Sequence, residues 1–176
     1  MIGSTSTLSD VAFYVCTALD RAGITAVLTG GSAATFYAPD AYQSRDIDFV
    51  ITVWAPNGER ALLDAGFSRE IDCYVHPSTI YPIEFPKGPL MVGDDMIKEW
   101  STIRRGDELL NVLSPTDSCR DRLAAFLFWN DFSGLEQALA VCHARADVDL
   151  DRVRRWCQRT GHRKKWELLK ARLRAR

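Results

Sequence analysis

Two short stretches of the 176-residue chain hold residue types that could do chemistry together, Gly30-Gly31-Ser32 and Asp46-Ile47-Asp48. In a strand, residues two apart share a face, so Asp46 and Asp48 project together while Ile47 and Phe49 turn to the core. Two carboxylates held that close repel each other, which either raises a pKa or calls for a cation between them. Mg²⁺ suits the second case, because it accepts one or two carboxylates together with phosphate oxygens and water. The Gly-Gly-Ser turn supplies a complementary half: glycines let backbone approach a ligand closely, and the helix N-terminus that follows favours phosphate. Thirteen residues lie between Ser32 and Asp46. That is room for one short helix and a turn, which would bring the phosphate cradle and the carboxylates to neighbouring strand ends.

The elements that must position these residues are legible from periodicity and breakers. Leu8 to Arg21 has apolar residues at helical spacing (Val11, Tyr14, Val15, Leu19) behind Ser9 and Asp10 and before Gly23, and predicts a helix. Ile24 to Thr29 reads as a strand, Ser32 to Tyr37 as a helix ended by Pro39, and Arg45 to Val53 as a second strand. A short helix is expected through Glu59 to Ala65, then strands over Arg69 to Val75 and Thr79 to Phe85 around the turn His76-Pro77-Ser78. Pro86, Gly88, Pro89 and Gly93 mark a loop, and Glu108 to Leu113 reads as the last strand. From Ser114-Pro115 the pattern is helical only: one helix to about Trp129, one capped by Asp131 or Ser133 to about His143, one opened by Asp149 or Asp151 to about Arg159, and a last basic helix beyond Gly161. The expected fold class is α+β, a mixed sheet flanked by helices. The expected organisation is an α/β core over 1–113 and a C-terminal helical subdomain with a basic tail over 114–176.

Composition bounds the class. With 47% hydrophobic residues the chain is long enough for one well-packed domain or a domain with a helical appendage. It has no stretch of roughly 20 uninterrupted apolar residues and no signal-peptide pattern at its start, so no membrane association and a cytoplasmic location are expected. The five cysteines (16, 73, 119, 142, 157) are odd in number and widely spaced, which fits small buried side chains better than a disulfide framework or a zinc site. The net charge of −1 hides an asymmetry: residues 152–176 carry eleven basic side chains and one acid, Glu167, for +10, while residues 1–151 carry −11. Such a tail reads either as an RNA-binding footprint, with Trp156 and Trp166 available to stack, or as a neutraliser of the acidic body of its own chain or of a partner.

Gly30-Gly31-Ser32 followed by Asp46-Ile47-Asp48 resembles the signature of the DNA polymerase β-like nucleotidyltransferase superfamily. The longer strings Gly-Gly-Ser-Ala-Ala and Ser44-Arg45-Asp46-Ile47-Asp48-Phe49 are similar to the minimal and toxin–antitoxin nucleotidyltransferases of bacteria. The likeness covers about sixty residues, and no second motif accompanies it. It implies a third carboxylate on an adjacent strand, for which Glu84 in Ile83-Glu84-Phe85 is the first candidate and Asp72 in Ile71-Asp72-Cys73 the second. It implies that Asp46, Asp48 and Glu84 bind Mg²⁺ or Mn²⁺, that Gly30, Gly31 and Ser32 hold an NTP triphosphate, and that Glu84 orients or deprotonates an acceptor hydroxyl. A glutamate where the family has an aspartate is a departure in reach.

The function expected from this is divalent-metal-dependent transfer of a nucleoside monophosphate from an NTP to a hydroxyl of RNA or tRNA, of a protein, or of a small molecule such as an aminoglycoside. The resemblance adds a toxin–antitoxin or stress setting with a cognate partner protein. An alternative is a catalytically inactive relative that binds nucleotide or a partner. Glu84 separates the two, since a carboxyl within about 5 Å of those of Asp46 and Asp48 can share their cations. A third reading is a nucleic-acid-binding protein led by the basic tail. Arg45, beside the acids, is a candidate phosphate contact; Arg120 and Arg122, at the start of the first C-terminal helix, could also reach a triphosphate across the cleft, but read first as surface charge or structural ion pairs. His76, His143 and His162 fall in a turn or on helical stretches and are assigned no chemistry.

Overall fold

The computed structural model describes residues 2–175. Helix α1 (Leu8–Arg21) begins with a reciprocal cap in which the Asp10 N–H donates to the Thr7 hydroxyl and the Thr7 N–H donates to the Asp10 carboxylate. This satisfies N–H groups that a helix start otherwise leaves open. Leu8, Val11, Ala12, Val15, Cys16 and Leu19 form its buried stripe. The stripe lies over strands β1 (Thr25–Leu28) and β9 (Glu108–Val112).

A seven-stranded mixed sheet forms the centre of the protein. Between β1 and β9 come α2 (Gly30–Tyr37), β2 (Ile47–Val53), α3 (Gly58–Asp64), β3 (Ser68–Arg69), β4 (Cys73–Val75), β5 (Ile83–Glu84), the pair β6 (Met91–Val92) and β7 (Asp95–Met96), and β8 (Ser101–Arg105). The sheet order is β3-β4-β5-β2-β1-β9-β8, and β6 with β7 makes a separate two-stranded ribbon. β2 runs antiparallel to β1 with Leu28 opposite Phe49, and parallel to β5 with Asp48 opposite Glu84. β9 runs parallel to β1.

From Ser114 onward the chain is helical: α4 (Pro115–Trp129), α5 (Phe132–Ala144), α6 (Leu150–Arg159) and α7 (Arg163–Arg174). Ser114, Asp131 and Asp149 cap the first three through their side chains, and Pro115 opens α4 where its missing N–H is harmless. α4 packs on α2, α5 and α6, and the Tyr37 hydroxyl at the end of α2 donates to the Leu113 carbonyl beyond β9. The buried apolar residues make one cluster that runs from α1 through the sheet to Trp166 and Leu169 of α7. Among the described residues no helix is long and apolar enough to cross a membrane.

Several expected boundaries shift. The segment expected as one strand over Arg69 to Val75 is two short strands joined by a turn, with Ile71 and Asp72 out in solvent. The segment around Gly93 is the β6–β7 ribbon and not plain loop, and β8, a strand that periodicity does not single out, zips onto β9 along its whole length. Its sequence Ser-Thr-Ile-Arg-Arg has one half-buried apolar side chain on an otherwise polar sheet edge, too little to show alternation.

Candidate functional site

Asp46, Asp48 and Glu84 come together at one end of β2 and β5, with one carboxylate oxygen from each within 4.8 Å of the other two. Parallel pairing sets Asp48 beside Glu84 in register, while Ile47 and Ile83, fully buried, anchor the opposite face of the same two strands. Asp46 sits in the bend before β2 and not within the strand. It is fixed there by the Ser44 hydroxyl, which donates to its carboxylate at 2.9 Å, and Ser44 is held in turn by its N–H donating to the Thr35 hydroxyl at 2.8 Å. Asp72, the second candidate for a third acid, is exposed in the β3–β4 turn and outside the cluster.

Crowding leaves a mark on Asp48. Burial first, then the Asp46 and Glu84 carboxylates, push its pKa up from 3.8 to about 6. The Arg122 guanidinium opposes that rise, and Asp121 adds to it, so α4 contributes charge to the site. Arg122 is held by its neighbour, with Nε and an Nη donating to the Asp121 carboxylate at 2.9 and 2.6 Å. The sequence offered Arg122 as a triphosphate contact or as a surface or structural charge, with the second reading slightly favoured, and did not offer Asp121 at all. Adjacent acid and base on a helix carry no spacing signal until the placement of α4 is known.

The glycine turn abuts the acids. Gly30 has φ +64°, a conformation L side chains rarely adopt, and a Cβ there would lie 2.5 Å from Asp48 Oδ2. At Gly31 a Cβ would meet the Ser44 hydroxyl at 3.0 Å. The helix begins at Gly30, two residues earlier than the periodicity suggests, so both glycines lie in its first turn, where N–H groups have no partner within the helix. Ser32 is fully buried, its hydroxyl donating to the Thr29 carbonyl at 2.8 Å and accepting from the Asp48 N–H at 3.1 Å. It ties α2 to the carboxylate strand. Arg45 is exposed next to Asp46 and makes no ion pair among the described residues.

Arg120 proves to be structural. It is buried, pairs with Asp117 at 2.7 Å and with Asp95, and lies over the Trp156 ring. Much of the basic tail is likewise spent inside the chain. Arg152 pairs with Asp117, Arg154 with Asp151, Arg159 with Asp95, and Arg172 with Glu136, while the Lys165 ammonium donates to the Phe126 and Leu127 carbonyls at the end of α4. Trp156 and Trp166 are buried in the core and unavailable to stack on a base.

No protein-family model matches the chain, and no curated protein does. Among solved structures, an antigenic nucleotidyltransferase-like protein from Paracoccidioides brasiliensis superposes with a TM-score of 0.60 over 80% of this chain and 78% of its own, at 17% identity. That likeness shows the fold, a nucleotidyltransferase-like mixed sheet flanked by helices. ANT(2'')-Ia in complex with adenylyl-2''-tobramycin matches over 96% of this chain and 97% of its own with a TM-score of 0.42 and 13% identity, too distant to carry an argument.

Proposed function

We propose that this chain transfers a nucleoside monophosphate from an NTP to a hydroxyl acceptor, with Mg²⁺ or Mn²⁺ held by Asp46, Asp48 and Glu84. The observation that carries the reading is the gathering of these three carboxylates beside the N-terminus of a helix opened by two glycines. The donor set fits a hard divalent cation. All three ligands are carboxylate oxygens, and small side-chain rotations close a 4.8 Å cluster around an ion with ligand distances of about 2.1 Å. When bound, the cation supplies positive charge to the attacking and leaving oxygens.

In this reading the first-turn amides of Gly30, Gly31 and Ser32 hold triphosphate oxygens. The Ser32 hydroxyl, committed to Thr29 and Asp48, serves by fixing the acids. Arg45, next to Asp46 in the chain, and Arg122, whose charge acts on Asp48, suit phosphate as guanidinium partners. Glu84 orients the acceptor hydroxyl and takes its proton as the oxygen–α-phosphorus bond forms and the bond to pyrophosphate breaks. Residues 114–176 form the far wall of the cleft, a helical subdomain set against the 1–113 core. The acceptor is RNA or tRNA, a protein side chain, or a small-molecule hydroxyl. A toxin–antitoxin or stress system with a cognate partner protein rests on the two sequence strings alone, and dependence on NTP suits a cytoplasmic setting.

The test is incubation of the purified protein with a divalent cation, each α-³²P-labelled NTP, and total bacterial RNA or lysate, beside an Asp46→Ala, Asp48→Ala double variant. Label passing to a macromolecule with the wild type only would support transfer and identify the acceptor class. Metal-dependent nucleotide binding without any transfer would replace the enzyme with a nucleotide-binding relative. Salt-sensitive RNA binding that survives the double substitution, again without transfer, would favour a nucleic-acid-binding protein.

A further inference from the structure

Cys119 on α4 and Cys142 near the end of α5 face each other with their Sγ atoms 3.3 Å apart. All five cysteines are free thiols. A disulfide spans about 2.05 Å, so bonding these two sulfurs requires movement of only about 1 Å shared between two side chains. Their exposures differ: Cys119 is fully enclosed and Cys142 is half-buried, so a small reagent meets Cys142 first. A hydrogen bond from Cys119 holds the Cys142 thiol below its ordinary range, while the same bond and complete burial raise Cys119. Reactivity follows thiolate character and access, and both point to Cys142 as the attacking sulfur.

We propose that Cys119 and Cys142 are a hydroperoxide-sensitive pair that closes to a disulfide and ties α4 to α5. The Cys142 thiolate attacks one peroxide oxygen; an S–O bond forms, the O–O bond breaks, and the leaving oxygen takes a proton to become water or alcohol. The Cys119 sulfur then attacks the Cys142 sulfenic acid; the S–S bond forms, the S–O bond breaks, and the departing oxygen leaves as water with the Cys119 proton. Two thiols are oxidised and one hydroperoxide is reduced. Asp121 and Arg122 follow Cys119 on the same helix, so the bond fixes the wall that faces the acidic cluster. The pair does not depend on what that cluster does.

The experiment treats the reduced full chain with stoichiometric hydrogen peroxide, blocks remaining thiols, and identifies cross-linked peptides by mass spectrometry without reduction. The expected product joins Cys119 to Cys142 within one chain, leaves Cys16 and Cys157 as thiols, and melts higher by on the order of 5 °C, reversed by reductant. Cys119→Ala and Cys142→Ala should each abolish the cross-link and the rise. Sulfinic acid at Cys142 without a cross-link, or a bond through any other cysteine, would overturn the proposal. That readout comes from the unsubstituted chain, so poor folding of either variant leaves it intact.

Discussion

Gly30 and Asp48 are in each other's way, and that proximity defines the site. Replacing Gly30 with alanine forces a side chain into φ +64° and sets its Cβ against Asp48 Oδ2. We expect a loss of about 1–2 kcal/mol in urea unfolding, with nucleotidyl transfer falling by at least about tenfold as the carboxylate is displaced. Asp48 itself carries a pH signature. Its folded pKa of about 6 lies above the ordinary 3.8, so the native state holds the proton more tightly than the unfolded chain. The stability this lends is present below pH 3.8 and is lost as the pH rises to about 6. Asp48→Asn should therefore be more stable than the wild type at pH 7.5, by about 1–2 kcal/mol after discounting for solvent screening. The gain should vanish in melts at pH 4. Equal stabilities at pH 7.5 would mean that the acids are not crowded as described.

At the scale of elements, the junction of α2 with β2 is the piece on which the cluster depends. Ser32→Ala strips the Thr29 carbonyl and the Asp48 N–H of a buried partner, and a loss of about 1–3 kcal/mol is expected in denaturant unfolding. A variant of unchanged stability whose Km for NTP rises would instead place the Ser32 hydroxyl on the phosphates. The strands and helices that bury an apolar face were legible in the sequence: α1, β1, β2, β9 and all four C-terminal helices lie near their expected ranges, because capping residues and periodicity agree there. Glu84 was legible as an acid flanked by core residues, and β5 does pair beside β2. The β6–β7 ribbon, β8 and the turn that splits β3 from β4 were not, since these short strands carry too few apolar residues to show alternation and are fixed by their pairing. Asp46 before the strand was missed for a related reason, as the Ser44 and Thr35 hydrogen bonds that place it cross from another element.

For the molecule as a whole, the charge asymmetry of the sequence resolves largely into internal pairing. The tail's arginines reach back to Asp95, Asp117 and Glu136, and the Lys165 ammonium donates to the Phe126 and Leu127 carbonyls near the end of α4. At the centre of this network, Arg120 holds Asp117, whose carboxylate is almost completely buried. Arg120→Met keeps much of the packing against Trp156 but strands that acid, and a loss of about 3–5 kcal/mol is expected by calorimetry or urea melts. A neutral substitution would show that Arg152 and Ser114 suffice to hold Asp117.

The most direct test of the central claim is the transfer rate from labelled NTP as a function of Mg²⁺ concentration, for wild type and Glu84→Gln, using an acceptor found with the wild type. A three-carboxylate metal site predicts saturable dependence on Mg²⁺ and a loss of about 10²-fold or more in the variant, since the third carboxylate is both ligand and proton acceptor. Transfer by Glu84→Gln at the wild-type rate, or wild-type transfer that persists after removal of all divalent cations, would contradict it.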